Sequence, residues 1–260
     1  MTAYLNRLWQ LRWFLQAMAV NDLRRRFHRS WVGVFYLVIA PLAFALVLGY
    51  VFSRIFGRGF IDYVPFVLSG ILVWEMVTGA CTQGAHAIVG AEGYIRHYAL
   101  PFALYPLRTA IAVFLQSLFA LGVLVAWMLV LRPHVVNVAW LSLLATLPLL
   151  FVTTVALAVL FAVANTLSRD VAHFATIAFP AFWMISPITI PPDAYRNAGA
   201  GWLVDANPVF HLAELIRAPL LAGTWPPLHS VMIAGITACV VVAAALCTVA
   251  ATGPRLVYRL

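Results

Sequence analysis

The stretch Asp22-Leu23-Arg24-Arg25-Arg26-Phe27-His28-Arg29-Ser30 is strongly cationic, and the run that follows it, Trp31 to Ser53, carries no charge at all. A helix needs roughly 20 apolar residues to cross the hydrocarbon core of a bilayer. Arginines bordering such a run favour the cytoplasmic side. The junction therefore reads as a cationic collar at a water–lipid boundary, with the first membrane span leaving it outward.

The rest of the chain extends the constraint. Of 260 residues, 64% are hydrophobic and only 9% are charged, where a soluble domain carries about 25%. Too few polar side chains remain to cover a water-facing surface, so the chain reads as an all-α integral membrane protein. The net charge of +8 comes from 16 arginines, with no lysine. Set between apolar runs, they point to lipid headgroups or an anionic ligand at headgroup level and not to nucleic acid. Cys81, Cys239 and Cys247 lie in apolar runs without metal-site or CxxC spacing and read as small core residues. The first 30 residues hold six arginines and no compact apolar core with a cleavage site, so no cleavable signal peptide is expected.

Six spans are expected: Trp31–Phe52, Tyr63–Ala85, Thr109–Leu131, Trp140–Leu167, Val171–Ile190 and His229–Ala250. Pro191-Pro192 is taken as the stop of the fifth. Within residues 1–30, Tyr4, Leu5, Leu8, Leu11, Leu15 and Met18 recur at three- and four-residue spacing, opposite Asn6, Arg7 and Arg12. That pattern predicts an amphipathic helix lying in the membrane interface, the alternative being a helix packed on a cytosolic partner. The division is thus 1–30, interfacial helix and arginine cluster, and 31–260, the membrane domain. Six crossings put both termini on one side, with eleven arginines inside and five (Arg54, Arg58, Arg132, Arg196, Arg217) outside. The asymmetry places the termini in the cytoplasm.

Residues 191–228 are too long for a plain connection. Their short apolar pieces, Ala198–Val204 and Phe210–Leu221, predict a pair of short outer-face helices that dip into the membrane or cap a pore, the second amphipathic with Glu214 and Arg217 three apart. Irregular backbone at that depth survives only where protein or water satisfies it. On the inner side, Ile88 to Pro101 is long enough for a short helix along the membrane. It reads as a docking surface or a solvated connection. The tight turn Ser168-Arg169-Asp170 shows how short a connection can be here, which favours docking.

Signals for chemistry are sparse. There is no Gly-rich loop ending in Lys-Ser/Thr, no His-x-x-x-His pair and no nucleophile–base set. His86, His97, His173 and His211 sit near span ends, where such residues are usually solvated or hydrogen-bonded. No catalytic residue and no metal ligand is assigned, so the chain reads as a conduit and not an enzyme. Glu75 stands deep in the second span, where an ionised acid costs about 2.5–3.5 kcal/mol on insertion scales. It serves transport, pairs with another helix or stays protonated. Aromatics crowd the first span (Trp31, Phe35, Tyr36, Phe44, Tyr50, Phe52) and the fifth (Phe174, Phe179, Phe182, Trp183). Such rings pack, anchor at interfaces or, in a conduit, stack on sugar rings.

Three passages together resemble a known family. They are Asn21–Phe27 with Ser30, Gly33 and Pro41-Leu42; Phe66–Trp74 leading into Glu92–Arg96 and Leu100-Pro101; and Ser168–Val171, Ser186-Pro187-Ile188, Asn207–Leu212 and Arg217–Leu221. Their order and spacing resemble the type-2 ABC exporter permeases that move polysaccharide across the bacterial inner membrane, above all the O-antigen (lipopolysaccharide) channel subunits, then the capsule and teichoic acid exporters. The likeness covers nearly the whole chain. It departs in one respect: the basic cluster is pure arginine where relatives often use lysine.

The resemblance implies a homodimer of six-span subunits paired with two copies of a separate ABC ATPase. That partner would bind ATP and Mg²⁺, and this chain would bind no cofactor. It implies that Glu92, Gly93, Tyr94, Ile95 and Arg96 form the coupling helix that docks in the ATPase. Arg24, Arg25, Arg26 and Arg29 would meet the pyrophosphate of an undecaprenyl-diphosphate-linked or other lipid-linked glycan, since arginine pairs phosphate in a bidentate way; they also read as a plain topological collar. Phe35, Tyr36, Phe182 and Trp183 would line the pore. The short helices bearing Asn207, Pro208, His211, Glu214 and Arg217 would cap it, facing a possible periplasmic co-polymerase. Two rival readings remain: an exporter of small molecules such as drugs or haem, and a polyprenyl-lipid enzyme. The latter would need paired metal-binding aspartates, which the sequence lacks.

Overall fold

The computed structural model describes residues 31–91 and 101–252, together with Trp13, Leu15, Met18 and Gly93, and the side chains of the first helix from Ile39 onward. The expected interfacial helix, Arg24, Arg25, Arg26 and Arg29, and Glu92, Tyr94, Ile95 and Arg96 of the inner loop lie outside the described residues. So do the side chains of Phe35 and Tyr36.

The described residues are helical, with no strand among them. In chain order they form α1 (Trp31–Ile55), α2 (Phe60–Val89), α3 (Leu104–Leu131), α4 (Leu143–Leu167), α5 (Asp170–Ile185), α6 (Pro192–Asn197), α7 (Gly201–Asp205), α8 (Pro208–Arg217) and α9 (Leu228–Thr252). Short 3₁₀ turns, Pro133–Val135 and Val138–Ser142, precede α4, and a π turn, Ala218–Ala222, follows α8.

Among the described residues, four segments are long and apolar enough to cross a membrane: Phe60–Val89, Leu104–Leu131, Val138–Leu167 and Leu228–Thr252. They coincide with the expected second, third, fourth and sixth spans. α1 runs for 25 residues and its part with described side chains, Ile39–Ile55, is apolar; α5, Asp170–Ile185, is a shorter apolar helix. The expected fifth span, Val171–Ile190, ends early. With 16 residues, α5 rises about 24 Å, short of a hydrocarbon core of about 30 Å. Pro187 is the cause. The residue before a proline is driven out of the α region, and Ser186 is extended at φ −81° and ψ 138°. Pro187, not Pro191-Pro192, sets the stop.

α2 is the centre of the bundle and packs against α1, α3, α4 and α8. Small residues allow the closest approaches. A Cβ on Gly84 would lie 2.7 Å from the Ala158 Cα and 2.9 Å from its carbonyl oxygen, so α2 and α4 cross backbone to backbone. Ala80, Ala110 and Ala158 continue that seam into α3, as expected where van der Waals contact and not the hydrophobic effect drives association. Buried Asn165 joins three helices: its Nδ2 donates to the Ala85 carbonyl (2.8 Å) and its Oδ1 accepts from the Ala172 amide (3.1 Å). Hydroxyls within the spans donate to the carbonyl one turn back, as at Thr78, Thr153, Thr154 and Thr166.

The connections 56–59, 132–142 and 186–227 gather at one end, here called the cap. Asn137 donates to the Gly223 carbonyl (2.6 Å), while Arg58 pairs with Asp193 and Arg132 with Asp62.

The close crossing has a direct test. Gly84→Ala is expected to cost about 1–3 kcal/mol through overpacking and to lower the melting midpoint of the detergent-solubilised protein. Gly122→Ala on α3, where no atom lies within 4 Å of the added Cβ, is expected to leave the midpoint unchanged or raise it slightly.

Candidate functional site: a helical cap held by a buried arginine

Beyond Ile185 the chain leaves helical geometry while still packed inside the bundle. Ser186, Ile188 and Thr189 are all buried, and their backbone groups need partners that a bilayer cannot supply. Arg217, at the end of α8 and only 4% exposed, provides two of them. Its Nη1 donates to the Pro187 carbonyl (3.2 Å), its Nη2 to those of Ile188 (2.8 Å) and Phe66 (3.2 Å), and its Nε to Ser69 Oγ (3.2 Å). The guanidinium also sits over the Phe66 ring, 3.9 Å from its centroid, a cation–π contact. Tyr63 donates its hydroxyl to the Thr189 carbonyl. Tyr195 donates to that of Ser186 at 3.4 Å, and burial raises its hydroxyl pKa, which keeps it a donor. One cation thus ties α2, the post-α5 segment and α8 together.

Burial pushes the Arg217 guanidinium down to about 10, with Glu214 and Tyr63 opposing the shift, so the group stays charged at neutral pH. Gly70 makes the arrangement possible: a Cβ there would lie 2.6 Å from Arg217 Nη2 and 2.6 Å from the Ile188 carbonyl oxygen. Glu214 and Arg217, three apart on α8, have different surroundings. Both line the same cavity, but Arg217 turns into the protein because four acceptors await it there.

The start of α8 follows from Asn207-Pro208. The Asn207 side-chain oxygen accepts from the amides of Val209 (2.9 Å) and Phe210 (3.3 Å), an N-cap, and Pro208 takes the first helical position, where no amide is needed. Asn207 Nδ2 also donates to Ser186 Oγ (2.8 Å). His211 is fully buried. Its Nε2 lies 2.9 Å from the Asp205 carbonyl, which can only accept, so that nitrogen carries the proton; in the neutral ring Nδ1 then accepts from Ser230 Oγ at 3.1 Å. Here the histidine is an internal cross-link from α8 to α9.

Over α8 opens a cavity of about 480 Å³ lined by Arg58, Asp62, Arg132, Asp193, Glu214 and His229 among others. Arg58–Asp193 (2.8 Å) and Arg132–Asp62 (3.1 Å) bridge its walls. Such partly exposed pairs add roughly 0–1 kcal/mol each and serve mainly to set the position of the connections. Among the described residues no three His, Cys, Asp or Glu side chains gather as metal ligands.

Beneath the cap runs an aromatic seam. Trp183 meets Trp74 edge to face at 5.4 Å between centroids and Phe44 at 6.4 Å. Phe179 meets Trp74 at 6.2 Å and Phe161 at 6.3 Å. The seam fixes α5 against α1, α2 and α4. Of the two aromatics singled out on the fifth span, Trp183 is half-buried in this seam, whereas Phe182 is 53% exposed. Phe174 (70%), Ile177 (77%) and Met184 (74%) share the outward side of α5. Gly93 is exposed.

Residues 14–221 match the ABC-2 type transporter family. The chain belongs to that family. Its members are membrane permeases and not the catalytic subunits of ABC transporters. The chain is 22% identical over 206 residues to the O-antigen export system permease protein RfbA of Klebsiella pneumoniae, covering 78% of each chain. It is 23% identical over 217 residues to the polysialic acid transport protein KpsM of Escherichia coli, covering 80% of this chain and 81% of that one. It is also 23% identical over 222 residues to RfbA of Myxococcus xanthus, covering 81% of both.

Reading the sequence assigned no role in the site to Tyr63, Ser69, Gly70 or Asn165. The available signal was a polar or glycine residue inside an apolar run, which burial obliges to find a partner. For this ABC-2 permease, Arg217→Met is expected to leave the Pro187 and Ile188 carbonyls without donors, at about 1–3 kcal/mol each. The melting midpoint and the yield of monodisperse protein should fall sharply, and Arg217→Lys should recover only part, because a point-charge ammonium cannot span four acceptors.

Proposed function

We propose that this permease is the channel-forming subunit of an ATP-driven exporter of lipid-linked polysaccharide of the O-antigen or lipopolysaccharide type, in the bacterial inner membrane. The observation that carries the reading is the match to O-antigen and polysialic acid export permeases over about four fifths of their length and of this chain. The polysialic acid relatives also favour a second reading with the same mechanics, export of a capsular polysaccharide.

Several features support the mechanism. The outward apolar side of α5 and the exposed residues Phe44, Val47 and Tyr50 on α1 suit a face shared with a second copy, so the working unit is a homodimer around a central path. Phe35, Tyr36, Phe182 and Trp183 lie on those two helices, where stacking on sugar rings would help a glycan through. Six crossings, with α1 and the short α5 completing the four longer spans, would put both termini in the cytoplasm. Two copies of a separate ATPase would supply the energy by binding ATP and Mg²⁺, docking on the loop that carries Glu92, Gly93, Tyr94, Ile95 and Arg96. Arg24, Arg25, Arg26 and Arg29 would grip the pyrophosphate of an undecaprenyl-diphosphate-linked glycan. The cap, built on Asn207, Pro208, His211, Glu214 and Arg217, would close the outer mouth and meet any periplasmic co-polymerase.

The test is ATPase activity of the permease co-purified with its nucleotide-binding subunit, with and without the lipid-linked glycan. Stimulation by the glycan lipid, lost when Arg24, Arg25 and Arg26 are all changed to Ala, is the expected result. Stimulation that survives the triple change makes the arginines a topological collar. No stimulation by the glycan lipid, with a response to a small drug-like amphiphile, contradicts polysaccharide export.

A further inference from the structure

One face of α2 changes character along its length. Toward the cap it carries Leu68, Ile71 and Leu72, all buried. Toward the opposite end the same face carries Glu75, Thr78, Gly79, Thr82, Gln83 and His86. Steps of three and four residues keep these positions in a single stripe, roughly 17 Å long at 1.5 Å per residue. Glu75 and His86 are exposed and the four between them are half-buried. Around the rest of the helix over that length, Met76, Ala80, Cys81, Ala85 and Ile88 are buried. From Glu75 to His86, the side of α2 left uncovered by the described residues is thus mostly polar.

The stripe has a second wall. Gln116 and Ser117 of α3 share with Glu75 and Gln83 a narrow cleft of about 20 Å³, room for one water. Thr78 and Thr82 donate to the carbonyls of Trp74 and Thr78, each at 2.8 Å, which leaves the outer lone pairs of both hydroxyls free to accept. The ion pairs among the described residues all lie at the cap and none includes Glu75. An acid inside a membrane span faces protein or a water-filled space, not lipid tails. Glu75 is exposed, with Leu72, Val113 and Ala120 beside it in the cleft, and it pairs with no cation among the described residues.

We propose that the stripe from Glu75 to His86 lines a water-filled groove in the half of the membrane away from the cap, and that it binds the hydroxyl-rich sugar part of the transported amphiphile. This rests on the polysaccharide-export reading above. The chemistry selects sugar over phosphate: a carboxylate and two threonine oxygens accept hydrogen bonds from hydroxyls and repel an anion, while the Gln83 and Gln116 amides can both donate and accept. Charge recognition of a pyrophosphate is left to the arginine cluster.

The test uses full-length permease with its ATPase partner in inside-out vesicles, with Cys239 and Cys247 replaced by Ser and buried Cys81 kept. Thr78→Cys, Thr82→Cys and His86→Cys are labelled with a membrane-impermeant maleimide. Ile236→Cys on α9, an apolar site that is 62% exposed, serves as the lipid-facing control. The stripe cysteines are expected to label at least tenfold faster than the control, and undecaprenyl-diphosphate-linked glycan is expected to slow them at least fivefold. Glu75→Leu, with the stripe otherwise native, is expected to raise the glycan-lipid concentration for half-maximal ATPase stimulation at least fivefold, with Glu75→Gln nearer the parent. Labelling no faster than the control overturns the proposal, because lipid or a second copy then covers the stripe. Fast labelling that the glycan lipid leaves unchanged, while the same lipid stimulates the ATPase, overturns sugar binding here and leaves polysaccharide export standing. Protection by a small amphiphile alone, without ATPase stimulation by the glycan lipid, overturns both.

Discussion

Ser186 to Thr189 have left helical geometry while still enclosed by the bundle, and their carbonyls have no water to turn to. In such surroundings an unpaired backbone group costs several kcal/mol. Arg217, Tyr63 and Tyr195 donate to this segment from three directions. Much of the cap follows from that requirement. α8 must end where its arginine reaches Phe66 and Ser69, α2 must carry glycine at position 70, and Asn207 must both start α8 and hold the Ser186 hydroxyl. A buried cation is costly in isolation. Here the same charge satisfies two carbonyls of an irregular segment, so removing it harms more than its own contacts.

The two ends of the bundle solve different problems. At the cap, charges bridge connections, and the polar groups of the post-α5 segment are spoken for by protein. At the other end, Asn165 locks α2, α4 and α5, while the polar stripe of α2 stays open. Between them the aromatic seam of Phe44, Trp74, Phe161, Phe179 and Trp183 holds a helix too short to span the hydrocarbon by itself. α5 thus joins a large exposed apolar side, with Phe174, Ile177 and Met184, to an end anchored at the cap.

Much of this fold is legible in the sequence because charge and apolar length are local properties. The expected second, third, fourth and sixth spans lie within a few residues of the observed helices, and the short helices after α5 fall where Pro, Gly and apolar pieces alternate. The end of α5 was placed too late because two adjacent prolines at 191–192 outweighed the single Pro187, although one proline is enough to turn the residue before it extended. The spacing of Glu214 and Arg217 along one helix is visible in the sequence. Acceptors 29 to 151 residues away are not. His211 and Asn165 were illegible for the same reason: their partners are set by tertiary packing. Glu75 was conspicuous alone, yet its meaning depends on Thr78, Thr82, Gln83 and His86 sharing its side, which helical periodicity carries and which only burial makes decisive.

Transport itself is the most direct measure of the central claim. The permease and its ATPase partner would be reconstituted in sealed vesicles with lipid-linked glycan loaded on the ATPase side, and the glycan reaching the opposite side would be counted with an impermeant lectin. The account predicts ATP-dependent appearance of glycan on that side, absent with a non-hydrolysable nucleotide. Vesicles that hydrolyse ATP and move a small amphiphile while the glycan stays where it was loaded would contradict it.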